Sequence, residues 1–312
     1  MKDKNLRNML LLAAISLIAL LVPALLIELR VIDPYSAQIL TLGGINAIMA
    51  ISVNVIAGIT GQLSLGQAGF EAIGAYMVIA LTEGLHVPLP LGILLASLAA
   101  AFAGFLIGFP TLKLEGDYLA IVTLAFGEII RVFLVNLKDL TGGPNGKQFS
   151  TVLTTSLAHG AMISWLAIIG SLILIIVFLH NFIRSTYGRA ILAVREDEIA
   201  ARSNGISVFR YKMVGFVIAS FIAGIAGGLY APFLGFIQPK QFDFNASIND
   251  LIYVVFGGMG SVTGSVIAAF SLTILQEALR ILRDYRLLIY PVLLILMMLF
   301  RPQGLLGTKE LS

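Results

Sequence analysis

RSTYGRAILAVREDEIAARSNGISVFRYK, residues 184–212, is the longest polar interval in this chain, and apolar runs long enough to cross a bilayer lie on both sides of it. It carries six Lys/Arg, namely Arg184, Arg189, Arg195, Arg202, Arg210 and Lys212, and three consecutive acids, Glu196, Asp197 and Glu198. A polar segment between two spans faces water, and its excess of Lys and Arg places it on the cytoplasmic side. The spacing predicts a helix between Gly188 and Gly205. On that helix Arg195, Glu198 and Arg202 share one face at i, i+3 and i+7. Glu198 precedes Arg202 by four residues, the favourable order for an ion pair. Ala190, Ala193, Val194 and Ala201 form a small apolar face opposite. Gly205 stands where a glycine ends a helix in the left-handed conformation. Two readings are open at this point: a solvated charged loop, or a docking helix for a cytoplasmic partner.

Outward from this interval the chain is mostly oil. Of its 312 residues 58% are hydrophobic and 12% charged, and the mean hydropathy is +0.97. Soluble domains carry about 25% charged residues, so the solvent for this surface is lipid. The expected fold is one all-α polytopic transmembrane domain over residues 1–312, with 184–212 as a cytoplasmic loop within it. Cysteine is absent, which excludes disulfides, thiolate nucleophiles and Cys-ligated metals. His86, His159 and His180 are far apart in sequence, so no metal and no other cofactor is expected. The net charge of +3 is spread over basic residues at span ends. These read as topology signals rather than a nucleic-acid surface.

Apolar runs at 9–27, 37–57, 72–85, 89–112, 119–136, 161–182, 213–236, 250–256, 266–282 and 287–300 predict about ten transmembrane helices with both termini inside. The basic residues Lys2, Lys4 and Arg7 then fall on the same side as 184–212, whereas Arg283 and Arg286 fall outside. A secretory signal is disfavoured, because the first run exceeds the roughly 7–15 apolar residues of such signals and no small-residue cleavage site precedes Glu28. The run at 72–85 is short of the ~20 residues a full helical span needs. Segments two, three, eight and nine are alternatively broken or re-entrant.

Two glycine-rich stretches interrupt apolar segments: GITGQLSLGQAGF at 58–70 and GGMGSVTGS at 257–265. They sit at corresponding places in the two halves, which points to a two-fold internal repeat. Paired interruptions of this kind mark the substrate region of repeat-built transporters; close helix packing through small residues is the competing reason. Either way a broken backbone at membrane depth is interior. Gln62, Ser64 and Gln67 from the first stretch with Glu71 directly after it, and Gly257, Gly258, Gly260 and Ser261 from the second, are therefore candidates to line a translocation pathway. Asn54 adjoins them. Glu128 and Arg131, at i and i+3, read as a structural ion pair, since an isolated charge at mid-bilayer costs about 2.5–3.5 kcal/mol.

GGPNGK at 142–147 fails as a phosphate loop: the pattern needs glycine at 141 and Ser/Thr at 148, where Thr141 and Gln148 stand. No metalloprotease, nucleophile-elbow or dinucleotide fingerprint is found, so no catalytic residue is assigned and the chain is not expected to be an enzyme. If ATP drives it, the energy arrives through a partner. A stand-alone secondary transporter or channel also accounts for the composition and the breaks, but not for a docking helix.

The motifs GITGQLSLGQAGFEAIGAY (58–76), TLAFGEIIR (123–131), LTGGPNG (140–146), YGRAILAVREDEIAARSNGI (187–206), GFVIASFIAGIAGGLYA (215–231), VFGGMGSVTGSVIAA (255–269) and FRPQGLLG (300–307) together resemble the LivM-type permeases of branched-chain amino acid ABC importers. The resemblance implies a multi-pass permease of the bacterial cytoplasmic (inner) membrane that moves branched-chain amino acids inward. It implies as partners a LivH-type permease, two cytoplasmic ATPase subunits and an extracytoplasmic substrate-binding protein. It further implies that 190–205 docks on an ATPase, with Arg195, Glu196, Asp197, Glu198, Ala200, Ala201, Arg202 and Gly205 as coupling residues. Ala200-Ala201-x-x-x-Gly205 looks like a degenerate importer coupling motif, with Ile199 where many importers carry Glu. Glu71, where such permeases often have an apolar residue, and Lys147, where an aliphatic often follows the TGGPNG motif, depart from the family. These departures keep other solutes open, such as urea, short amides or other amino acids.

Overall fold

The computed structural model describes residues 20–114, 116–149 and 160–280, and from there on 289, 291, 292, 295, 299–301, 304, 305 and 307. Lys2, Lys4, Arg7, Arg283, Arg286, the start of the first apolar run and much of the last lie outside the described residues.

In chain order the helices are α1 (20–28), α2 (Pro34–Asn54), α3 (Gln67–Ile79), α4 (Leu89–Thr111), α5 (Asp117–Asn136), α6 (Lys138–Thr141), α7 (Gly160–Arg184), α8 (Thr186–Glu196), α9 (Glu198–Ser203), α10 (Val208–Leu234), α11 (Phe244–Gly257) and α12 (Val262–Ala278). Helices α2 and α3 each continue into a π-turn, Val55–Ile59 and Ala80–Gly84. A two-residue ribbon pairs β1 (Lys147–Gln148) antiparallel with β2 (Phe236–Ile237).

Among the described residues five helices are long and apolar enough to span a bilayer: Pro34–Ile59, α4, α5, α7 and α10. Helices α11 and α12 pass that test only together, as a pair bent by 119°. Helix α3 has 13 residues, or about 20 Å at 1.5 Å per residue, against ~30 Å of hydrocarbon. Of the four segments open to being broken or re-entrant, the second is a full-length span, Pro34–Ile59, and the third, eighth and ninth are α3, α11 and α12; the described residues hold five full spans, or six if the bent pair counts as one.

Local chemistry sets the ends. Asp33 caps α2 by accepting from the Tyr35 N–H at 3.2 Å, and Pro34 supplies a first residue whose missing N–H has no partner to lose. The small residues of α10 bring backbones together. Cβ atoms on Gly224 and Gly228 would lie 2.7 Å from Ser97 Cα and 3.3 Å from Ile93, while Gly108 of α4 faces Met213 and Phe216. Helices α4 and α10 therefore run antiparallel along their length. So do α2 and α12: Gly43 faces Phe270, Asn46 Nδ2 donates to Thr273 Oγ1 at 2.9 Å, and Asn54 Oδ1 accepts from the Gly260 N–H at 2.8 Å.

These pairings sort the helix ends onto two faces of the bundle. One, the loop face, holds the end of α2, the start of α10, residues 184–207 and the α11–α12 bend. The other holds α6, the ribbon and the Pro239–Phe242 turn. Ile48, Ile51, Leu179, Phe216 and Ile222 fill the core between them. Phe102, Phe105 and Phe109 of α4, Ile129 and Phe133 of α5, and Leu174 and Phe178 of α7 are exposed, as suits surfaces turned to lipid or to another subunit.

The polar interval differs from the single helix its spacing suggests. It forms α8 and α9, separated at Asp197, whose backbone is extended (φ −158°, ψ 110°). The reason is capping: the Asp197 carboxylate accepts from the Ile199 and Ala200 N–H groups at 2.8 and 3.0 Å, which an aspartate at the start of a helix does better than one in its interior. As a result Arg195, Glu198 and Arg202 do not share one helix face, and Glu198 pairs with Lys212 rather than Arg202. Ala193 is exposed, while Ala190, Ile191, Val194 and Ala201 face the bundle. Gly205 does end α9 in the left-handed region (φ +78°). Its N–H reaches Arg202 O at 2.9 Å and that of Ile206 reaches Ala201 O at 3.0 Å, the paired bonds of a Schellman end.

Candidate functional site

The two glycine breaks, some 200 residues apart in sequence, meet in space on the loop face. Gly58 ends the first helix in a π-turn, and a Cβ added there would overlap Asn54 Oδ1 and the backbone of Gly260. Asn54, fully buried, spends its carbonyl oxygen on Gly260. The second break turns through Gly258 (φ 109°) and Gly260 (φ +93°), and Ser261 then caps α12 by accepting from the Gly264 N–H at 3.0 Å. Asn54→Ala strands the half-buried Gly260 N–H. It is expected to cost about 1–3 kcal/mol, read as a lower Tm of the detergent-solubilised protein.

The loop reaches the same point. Arg195 Nη1 donates to Gly58 O at 2.8 Å, and the same side chain pairs with Glu196. Of the other coupling candidates, Glu196, Asp197, Ala200, Arg202 and Gly205 are exposed, Glu198 is half-buried against Lys212, and Ala201 is buried. Ile199 is 79% exposed, an isolated large apolar side chain on a water-facing helix.

The pathway candidates Gln62, Ser64, Gln67 and Glu71 are all buried, as are Gly257, Gly258 and Ser261. Ser52 Oγ lies 3.1 Å from Gln67 Oε1 and 2.8 Å from Ala219 O. The Gln62 amide, the Ser64 hydroxyl and the Gln67 amide nitrogen meet no hydrogen-bonding partner among the described residues. Glu71 lies one turn beyond Gln67 on α3, away from the break itself. It is within electrostatic reach of Asp250 on α11 and of Tyr230 on α10. Asp250 is buried, and its Oδ2 has no hydrogen-bonding partner among the described residues. Asp250 is not among the sequence candidates, although it is visible there as an acid opening the apolar run 250–256.

Glu128 and Arg131 form the expected pair, Oε2 to Nε at 2.7 Å. They are only half-buried and stand apart from the breaks, at the edge of a recess of about 510 Å³ that also includes Pro144, Pro239, Lys240 and Asp243. That recess opens toward the ribbon face. Lys147 ties β1 to the end of α3 through Glu83 at 3.5 Å. No group of three or more His, Asp or Glu side chains suited to a metal is found among the described residues.

Residues 35–300 match the family described as the branched-chain amino acid transport system permease component. The chain is 40% identical over 300 residues to the high-affinity branched-chain amino acid transport permease LivM of Salmonella typhimurium, covering 87% of this chain and 70% of that protein. It is 39% identical, with the same coverage, to LivM of Escherichia coli. To LivH of Salmonella typhimurium it is 29% identical, covering 87% of this chain and 94% of that one. With five long apolar helices, two breaks joined at one point and a family match running from α2 to the C-terminal region, the chain belongs to the branched-chain amino acid transport permease family.

Proposed function

We infer that this protein is the membrane-spanning permease subunit of an ABC importer that brings branched-chain amino acids into the cytoplasm. The match to permeases of that name over residues 35–300 carries the inference. A LivH-type permease pairs with it, two cytoplasmic ATPase subunits drive it through α8 and α9, and an extracytoplasmic binding protein delivers the solute. The chain has no ATPase site of its own. It sits in the bacterial inner membrane with 184–212 and both termini cytoplasmic; α3, α11 and α12, together with the apolar runs at 9–27 and 287–300, bring the five long helices to about ten crossings in two related halves.

The physical support is the division between the two faces. A charged segment whose short helix α9 exposes Ile199 lies on the loop face, directly beneath the joined breaks. Inside, Gln62, Ser64, Gln67 and Asp250 each keep a buried polar atom that meets no hydrogen-bonding partner among the described residues. Such groups cost free energy unless something meets them, and a polar solute passing between α2, α3 and α11 does so. Cysteine at Ser64 or Ser261, in this naturally cysteine-free chain, is expected to react with a membrane-impermeant maleimide during ATP-driven turnover and not at rest. A position silent in every transport state is packing, not pathway.

The substrate test is uptake of radiolabelled leucine, isoleucine and valine by proteoliposomes holding the assembled importer. Flux from the permease pair alone, without ATPase subunits, overturns the importer reading. The buried Glu71 and Asp250 favour a second substrate class, solutes with a cationic or amide end, and competition by such solutes against leucine uptake distinguishes it.

A further inference from the structure

We propose that Arg195 is an internal positioning residue: it latches the cytoplasmic lever to the junction of the two glycine breaks and so holds the loop-face mouth of the pathway shut. This rests on the reading of 184–212 as the segment that receives the ATPase, but it gives Arg195 a different task from contact with that partner.

The first reason is what the guanidinium already holds. Nη1 donates to Gly58 O at 2.8 Å, Nε donates to Glu196 Oε1 at 3.1 Å, and Nη2 reaches the same carboxylate. A fork with both ends engaged inside the chain has little left for a carboxylate on another protein. The second is the acceptor. In the π-turn, Thr60 N–H goes back to Val55 O and Gln62 N–H to Ile56 O, at 3.0 and 2.9 Å. Gly58 O sits where a helix runs out of its own donors, and Arg195 supplies one from 137 residues away.

The third is geometry. The Arg195 stem crosses Gly61, a left-handed residue (φ +68°) where an added Cβ would sit 2.8 Å from Arg195 Cγ. The head lies against Gly260, 3.3 Å from where a Cβ would be. Gly58 and Gly260 are themselves joined through Asn54. One side chain therefore touches both breaks at the point where they touch each other. Side chains larger than hydrogen at 58, 61 or 260 would close the slot it occupies.

The consequence follows from stiffness. Helix α8 is packed into the bundle by Ile191 and Val194, and α9 follows it across extended Asp197, sharing the Val194–Ala201–Val208 cluster with it and tied to α10 by the Glu198–Lys212 pair. A pull on α9 that shifts α8 by an ångström or two lengthens the bond to Gly58 O past hydrogen-bond range. The end of α2 is then free to part from the α11–α12 bend. Docking belongs to α9 and latching to Arg195.

The test uses the assembled importer in proteoliposomes with Arg195→Ala and, as retained-donor variants, Arg195→Lys and Arg195→Gln. Three quantities are read: ATPase subunits co-purified, solute taken up per ATP hydrolysed, and the resting maleimide reactivity of Ser64→Cys. Arg195→Ala is expected to keep its ATPase subunits. Uptake per ATP should fall about tenfold, the scale set by one charge-assisted hydrogen bond, and Ser64→Cys should become reactive at rest. The lysine and glutamine variants should recover part of both, and they carry the test should the alanine protein fail to reach the membrane. Loss of the ATPase subunits from all three variants makes Arg195 a docking contact and overturns the proposal. So does unchanged uptake per ATP, or a cysteine that stays silent at rest. Ile199→Asp separates the two readings: if that variant keeps its ATPase subunits and its uptake, the docking assignment itself fails, whatever Arg195 does.

Discussion

Leucine in place of Gly74 is expected to remove folded protein from the membrane almost entirely. A Cβ at Gly74 would lie 2.8 Å from Gly224 Cα and closer still to its carbonyl, and Gly224 in turn sits against the Ser97 backbone. Helices α3, α10 and α4 are stacked there main chain to main chain. A side chain can rotate away from an intruder, but a backbone moves only if its whole helix moves. Overpacking a core costs about 1–3 kcal/mol when neighbours can yield, and here they cannot. Lipid offers no hydrophobic drive to hold parted helices together, so the lost contact is not regained elsewhere. Against a total stability of ~5–15 kcal/mol, a loss on the order of 5 kcal/mol or more, beyond the yielding case, leaves little native protein. Size-exclusion yield in detergent and Tm measure it. Gly84→Leu and Gly170→Leu are the controls: among the described residues nothing beyond the local backbone lies within 4 Å of a Cβ at either position, and both should resemble the parent. Normal yield and Tm from Gly74→Leu would show that the α3–α10 crossing is not so close.

The largest functional loss is expected from Ile199→Asp. Ile199 is held outward on a six-residue helix fixed at its start by Asp197, at its end by Gly205, and on its flank by the Glu198–Lys212 pair. Isolated helices this short do not persist in water, so those three ties are what present Ile199 in a defined position. Burying an isoleucine in a partner's pocket contributes about 1.5–3 kcal/mol, and an aspartate in the same pocket must be desolvated without a partner. ATPase subunits should fail to co-purify, and uptake should fall about 10- to 100-fold, the rate equivalent of that energy. The permease itself should keep its yield and Tm, because Ile199 touches nothing within its own chain that the substitution removes. Unchanged co-purification and uptake would mean that α9 is not the docking face.

Composition and hydropathy settled the solvent of this chain, and the long apolar runs placed α2, α4, α5, α7 and α10 to within a few residues. The i,i+3 spacing was enough for the Glu128–Arg131 pair, because a helix brings those positions together wherever it sits. Gly205 was legible for a similar reason, since a left-handed helix end is a local conformational demand that glycine meets. The break at Asp197 was harder: periodicity favours one helix, and the aspartate's preference for capping competes with it. In the structure the cap wins, and with it goes the expected Glu198–Arg202 pair.

Local sequence could not show the meeting of Gly58, Gly260 and Arg195, nor the approach of Asp250 to Glu71. Each involves residues more than a hundred positions apart, and no periodicity reaches that far. The sequence by itself determined a lipid-embedded helical bundle, its long polar interval and the two places where its helices break. Only the tertiary structure decided that this interval and the breaks share one point, because that depends on which helix backbones can approach closely enough to pack, and this is settled by the whole set of small-residue contacts at once.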